Sequence, residues 1–227
     1  MRALEVARVA LILGTLVLVC LMVNMALKPG RRSVVGRNSN ALLGDRTYKC
    51  GLSKACPQRH FAFKIQTGSA NIIGPTICFE DKILLRSTLN NVAVGLNIAL
   101  VDGKTGKLIK TGAFETHNIN NALKFFQDID ERTLVLVALF DNMGTVMNDE
   151  LKQLFTKLGS SYVNSIGYRD NWIFIGSKGI NGKSQFEEYM KNVKETNLYE
   201  DSPKTLLLNG CIPASSATAT TATDSGF

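Results

Sequence analysis

Thr133-Leu134-Val135-Leu136-Val137-Ala138-Leu139-Phe140 reads as a β-strand, and the elements on either side of it decide the fold class. Before it, residues Asn121 to Ile129 place Ala122, Leu123, Phe126 and Ile129 on one face of a helix. After it, Asn148 caps a second helix. Asp149 and Glu150 sit favourably at its positive end, Leu151, Leu154, Phe155 and Leu158 form its apolar face, and Gly159 stops it. A third helix is expected from the capping box Ser184-Gln185-Phe186-Glu187 through Tyr189, Met190 and Val193. Further β-rich runs lie at Phe61–Ile65, Thr76–Phe79, Ile83–Leu85, Val92–Val101, Lys107–Ile109, Trp172–Ile175 and Thr205–Leu208. The Asp-Gly and Thr-Gly pairs of Val101-Asp102-Gly103-Lys104-Thr105-Gly106 signal a hairpin. Several strands, a helix, the 133–140 strand, then helix, strand, helix and strand is the order of a mixed α+β domain. It is not that of an alternating doubly wound fold.

The flanks have a different character. Val9 to Leu27 is almost continuously apolar, preceded by Arg2 and Arg8 and followed by Lys28, Arg31 and Arg32. Such a segment leads into the secretory pathway, either cleaved as a signal peptide or kept as a short type II membrane anchor. Residues 1–27 are therefore assigned to the leader. Residues 28–45, rich in Arg, Ser, Asn and Gly, form a linker, and residues 46–213 the domain. Residues 214–227, almost all Ala, Ser and Thr up to Asp224, are expected to be a disordered tail open to O-glycans. The net charge of +7 sits mostly at the N-terminus, in Arg2, Arg8, Lys28, Arg31, Arg32 and Arg37. A nucleic-acid footprint needs cations clustered on the folded domain, so no nucleic-acid partner is expected.

Of the five cysteines, Cys20 belongs to the leader. Cys50, Cys56, Cys78 and Cys211 suggest two disulfides in an oxidising compartment, with three possible connectivities. Five residues separate Cys50 from Cys56, a poor match to structural zinc, and no metal or other cofactor is expected. The two histidines, His60 and His117, supply neither a catalytic triad nor a paired zinc motif. Asp102–Gly106 lacks the earlier glycine of a phosphate loop. Asp141-Asn142-Met143-Gly144 opens like a calcium loop, but Lys152 stands where the closing carboxylate belongs. No catalytic residues are assigned. A meeting of Asp141, Asp149, Glu150 and Asp170 in glycosidase geometry stays open, beside the plainer reading as caps and surface charges.

The densest segment is Gly167-Tyr168-Arg169-Asp170-Asn171-Trp172-Ile173-Phe174-Ile175-Gly176-Ser177-Lys178-Gly179. Arginine beside aspartate and the only tryptophan can make a charged, stacking surface for a polar ligand. The alternative is an internal Arg–Asp pair fixing the loop, with Trp172 and Phe174 in the core.

These residues carry a family resemblance. Tyr48-Lys49-Cys50-Gly51-Leu52-Ser53-Lys54-Ala55-Cys56-Pro57, Ala70-Asn71-Ile72-Ile73-Gly74-Pro75-Thr76-Ile77-Cys78, Gly103–Gly106, Gly167–Trp172 and Gly210-Cys211-Ile212-Pro213 are colinear with its motifs. The chain resembles the "family with sequence similarity three", that of the interleukin-like inducer of epithelial–mesenchymal transition and of pancreatic-derived factor. The resemblance implies a β-sandwich with short flanking helices, the bridges Cys50–Cys78 and Cys56–Cys211, and secretion. It implies non-enzymatic, cytokine-like signalling through a cell-surface receptor. It further implies a GG-type lectin domain, in which an acidic residue and arginines hold sugar, matching Asp141 and Arg169 here. Two departures stand out. Val94 occupies the place of a family arginine, and Ile175 that of an extra cysteine, so no disulfide-linked dimer is expected through Ile175.

Overall fold

The computed structural model describes residues 13–23, 48–127, 129–142, 147–180 and 182–215. The chain divides into two units, Met1–Asp45 and Arg46–Phe227. In the first, residues 13–23 are helical with exposed side chains. No described helix is long and apolar enough to cross a membrane. The rest of the expected leader, the linker over 28–45 and residues 216–227 of the tail lie outside the described residues.

The second unit contains nine described strands. They are β1 (His60–Gln66), β2 (Thr76–Phe79), β3 (Lys82–Leu85), β4 (Gly95–Asp102), β5 (Leu108–Phe114), β6 (Thr133–Phe140), β7 (Asn171–Ser177), β8 (Glu187–Met190) and β9 (Leu207–Pro213). They form two antiparallel sheets, ordered β3-β2-β1-β9 and β5-β4-β6-β7-β8. Two α-helices, α1 (Asn120–Phe125) and α2 (Asp149–Lys157), lie against the five-stranded sheet. The fold is an α+β sandwich.

The apolar run at 133–140 follows from this layering. A strand alternates its side chains between two faces, and β6 is buried on both. Val135, Val137 and Leu139 pack toward the helices, and Leu134, Leu136 and Ala138 toward the four-stranded sheet. β7 divides likewise, sending Trp172 and Phe174 to the helical side and Ile173 and Ile175 between the sheets. Phe155 of α2 meets the rings of Phe126 and Trp172 edge-on, at 5.6 and 5.2 Å between centroids. Trp172 and Phe174 are thus core.

The hairpin expected at 101–106 joins β4 to β5. Asp102 Oδ1 accepts the amides of Lys104 (3.0 Å) and Thr105 (2.6 Å) and the Thr105 hydroxyl (2.8 Å). Gly106, at φ +72°, closes the turn, and a Cβ there would lie 2.8 Å from the Phe61 ring. Asn148 Oδ1 accepts the Leu151 amide at 2.9 Å and caps α2 as expected. Helix α1 is shorter than expected, and Phe126 and Ile129 pack from beyond its end. β5 and β9 run on to Phe114 and Pro213, because pairing with β4 and β1 carries Lys110, Gly112, Asn209 and Gly210, weak strand formers alone, into the ladders.

The third expected helix does not form. Within 184–193, Glu187–Met190 form β8, which pairs with β7 through Trp172↔Tyr189 and Ile173↔Glu188. The Ser184 amide that Glu187 would cap donates instead to Gly159 O at 2.9 Å. Glu187 turns inward and accepts from Trp172 Nε1 (2.8 Å), the Ser160 hydroxyl (2.5 Å) and the amides of Ser161 and Tyr162 (2.6 and 3.3 Å). Both halves of the capping box have tertiary partners.

Two disulfides tie the N-terminal segment to the four-stranded sheet: Cys50–Cys78 and Cys56–Cys211, 28 and 155 residues apart. Cys20 is exposed.

Candidate functional site

β6 ends at Phe140, and the next residue, Asp141, turns into left-handed backbone at φ 58°. Arg169, two residues before β7, does the same at φ 56°. A non-glycine residue held there costs about 1–3 kcal/mol, so the surrounding fold must hold both. β6 and β7 are antiparallel neighbours, which brings the end of one beside the start of the other. Arg169 Nε consequently lies 2.8 Å from Asp141 Oδ1. The N–H is not aimed at that oxygen, and neither atom has a hydrogen-bond partner among the described residues. The contact is a charge pair rather than an aligned hydrogen bond. The Asp141 side chain is 10% exposed and that of Arg169 27%. The Arg169 guanidinium also lies 5.2 Å from the ring centroid of half-exposed Tyr168, within cation–π range.

The structure brings Asp141 and Arg169 together and separates them from the other candidates. Arg169 pairs with Asp141, not with its neighbour Asp170. Asp170 is buried and accepts the Gly167 and Asn192 amides, each at 2.7 Å, and the Tyr189 hydroxyl at 2.6 Å. Burial, and then the Asp170 carboxylate, hold the Tyr189 hydroxyl above its ordinary range. Asp149 and Glu150 stand in the first turn of α2. His60 Nδ1 is 3.0 Å from Gln58 O at the start of β1, and His117 Nδ1 is 3.5 Å from Glu115 Oε2 in the turn before α1. Val94 immediately precedes β4, whose first residue, Gly95, pairs with Phe140. The position of the missing arginine is thus adjacent to the Asp141 end of β6. Ile175 is buried between the sheets. Sequence reasoning missed Glu187 as the half-buried acceptor of Trp172 Nε1, since its local pattern reads as a cap.

The model of the interleukin-like EMT inducer family matches residues 94–180, the stretch from Val94 through β4, β6 and Asp141 to Arg169 and β7. The chain is 49% identical over 168 residues to zebrafish protein FAM3C, covering 73% of this chain and 74% of that one. It is equally identical to human protein FAM3D over 170 residues, covering 74% and 76%. The chain belongs to the FAM3 family. Human protein FAM3A is 48% identical over 170 residues, covering 74% of each chain, so these FAM3 relatives stand at nearly the same distance.

Proposed function

We propose that this FAM3 chain is a secreted, non-enzymatic signalling protein that acts by presenting its folded surface to a cell-surface receptor. The supporting observation is the 49% identity to FAM3 proteins over about three quarters of the chain, together with the interleukin-like family model across its central strands. The engagement of the carboxylates agrees with it. Asp170 serves the 167–192 loop contacts and Asp149 and Glu150 a helix end, whereas a general acid or base needs a free path to substrate. The leader is read as a cleaved signal peptide, with mature protein beginning between about Ala26 and Arg37. N-terminal sequencing of protein from culture medium tests secretion. Labelled mature protein, crosslinked on intact cells, should bind saturably, be displaced by unlabelled protein and label a discrete surface protein. Binding that never saturates on responsive cells would end the receptor reading.

A second reading, glycan binding, is favoured by the Asp141–Arg169 pair, whose facing polar atoms lack an aligned partner. Val94 removes a cation from this neighbourhood, and losing a charged donor costs about 1.5–3 kcal/mol. Binding here is therefore weak. On a glycan array it should vanish with Arg169→Ala or Asp141→Ala and strengthen with Val94→Arg. Tight binding indifferent to all three would place the sugar elsewhere.

A further inference from the structure

The outer face of the four-stranded sheet holds a second candidate site. Alternation along β1 sends Phe63 and Ile65 into the core between the sheets, so Lys64 and Gln66 point outward. The register sets Thr76 opposite Gln66 and Cys78 opposite Lys64, with Ile83 of β3 beside Cys78. The Cys50–Cys78 bridge ties the N-terminal segment to one part of this face. Against it lies a hollow of about 430 Å³, bordered by Lys64, Gln66, Thr76, Arg86, Ile83 and that disulfide.

The polar groups there are unspent. Among the described residues, the side chains of Lys64, Gln66, Thr76 and Arg86 have no hydrogen-bond or ion-pair partner; Arg86 is engaged through its backbone, its amide donating to Asn91 Oδ1 and its carbonyl accepting from the Leu89 amide. Asp81 also borders the hollow, but its Oδ1 accepts the Cys50 amide at 3.1 Å. Two cations face one partly committed carboxylate, which leaves a net positive charge. The apolar lining is confined to Ile83, the disulfide and Gly51, and no aromatic ring is present. A lipid tail has no channel to lie in, and a nucleobase has no ring to stack on. A sugar acid fits this combination: an anion, several hydroxyls and a small apolar ring face.

We infer that this hollow binds an acidic saccharide. The anionic substituent sits between Lys64 and Arg86, hydroxyls meet the Gln66 amide and the Thr76 hydroxyl, and the ring lies over Ile83 and the Cys50–Cys78 bridge. The volume falls in the range of about 300–1,000 Å³ usual for ligand sites. The site is on the opposite sheet from Asp141 and Arg169 and does not depend on them.

The test is calorimetric titration of the secreted protein with three tetrasaccharides: heparin-derived, unsulfated with glucuronic acid, and neutral. At least one charged probe should bind and the neutral one should not; comparing the two charged probes tells sulfate from carboxylate. The Lys64→Gln/Arg86→Gln double variant should lose about tenfold or more in affinity, as expected for charged donors, with Tm unchanged. Arg86→Gln alone changes an exposed, unpaired side chain and should give a smaller loss in a fold left intact. Arg169→Ala should bind like the wild type. Equal binding of neutral and charged probes, no binding at all, wild-type affinity in the double variant, or loss confined to Arg169→Ala would each overturn the assignment.

Discussion

Helix α2 and strand β8 each follow a polar residue that can cap a helix, and each carries apolar side chains toward the same core. In α2 the Asn148 carboxamide accepts the Leu151 amide, and Leu151, Leu154, Phe155 and Leu158 reach the core from a helical backbone. Before β8, the Ser184 hydroxyl donates to Ile175 O at 2.5 Å and accepts the Phe186 amide at 3.0 Å. Glu187 reaches across to Trp172, and Tyr189 packs on the core from an extended backbone. A helix cap is worth about 1 kcal/mol. A half-buried carboxylate with four donors, beside a strand edge that needs pairing, outweighs it. Local signals govern where the tertiary structure leaves their atoms free.

If distant ties outweigh local ones, the most distant tie should matter most. Cys56–Cys211 closes 155 residues and Cys50–Cys78 closes 28. In the chain-entropy model these closures contribute about 5 and about 3.6 kcal/mol. Cys211→Ser should therefore be poorly secreted and strongly destabilised, more so than Cys78→Ser. Denaturant unfolding of both variants checks the ranking, and the reverse order would break it.

Glu187→Ala should come next. It strips fully buried Trp172 Nε1 of its acceptor, together with the Ser160 hydroxyl and two amides. Trp172 and Ser160 are buried, and each of their unsatisfied groups costs about 1–3 kcal/mol, whereas exposed Ser161 and Tyr162 can turn to water, so a loss of roughly 3 kcal/mol is expected in urea unfolding. A loss below 1 kcal/mol would mean that strand pairing alone turned this segment away from helix.

Asn148→Ala should cost about 1 kcal/mol, the ordinary value of a cap, because only the Leu151 amide loses a protein acceptor. Asn148→Asp should keep most of that stability. Should Asn148→Ala match the cost of Glu187→Ala, the contrast between the two segments would collapse.

The smallest effect concerns Asp102 in the β4–β5 turn. The Thr105 amide, then its hydroxyl, hold this carboxyl below its usual 3.8, and Thr133 chiefly does the same for Asp130. With the folded value depressed, the contribution is complete above about pH 4 and fades as the pH falls through the folded value. Asp102→Asn should lower stability modestly at pH 7, where the ionised carboxyl contributes in full, and should converge on the wild type as the pH falls toward 3, flattening part of the acid limb. An unchanged acid limb would remove Asp102 from this role.

Much of the fold was legible because its cause is local or periodic. The 133–140 run is apolar on both faces because β6 is covered by helices on one side and a sheet on the other. The Asp-Gly and Thr-Gly turn and the Asn148 cap draw on atoms within a few residues of themselves. The disulfide pairing was legible only through family resemblance, since four cysteines permit three connectivities. The candidate site was half legible: Asp141 and Arg169 came from the same resemblance, but their mutual contact depends on β6 and β7 being antiparallel neighbours. Glu187, read as a cap, became the acceptor for Trp172 through strand pairing 15 residues away. The outer hollow also needed the tertiary structure. Alternation in Phe63-Lys64-Ile65-Gln66 shows which side chains face out, but only the sheet register adds Thr76, and only the fold of the loop after β3 adds Arg86. Sequence determines which atoms each segment offers. The fold decides which of those offers are already taken, because a donor or acceptor engaged by a distant partner is no longer available to its neighbours.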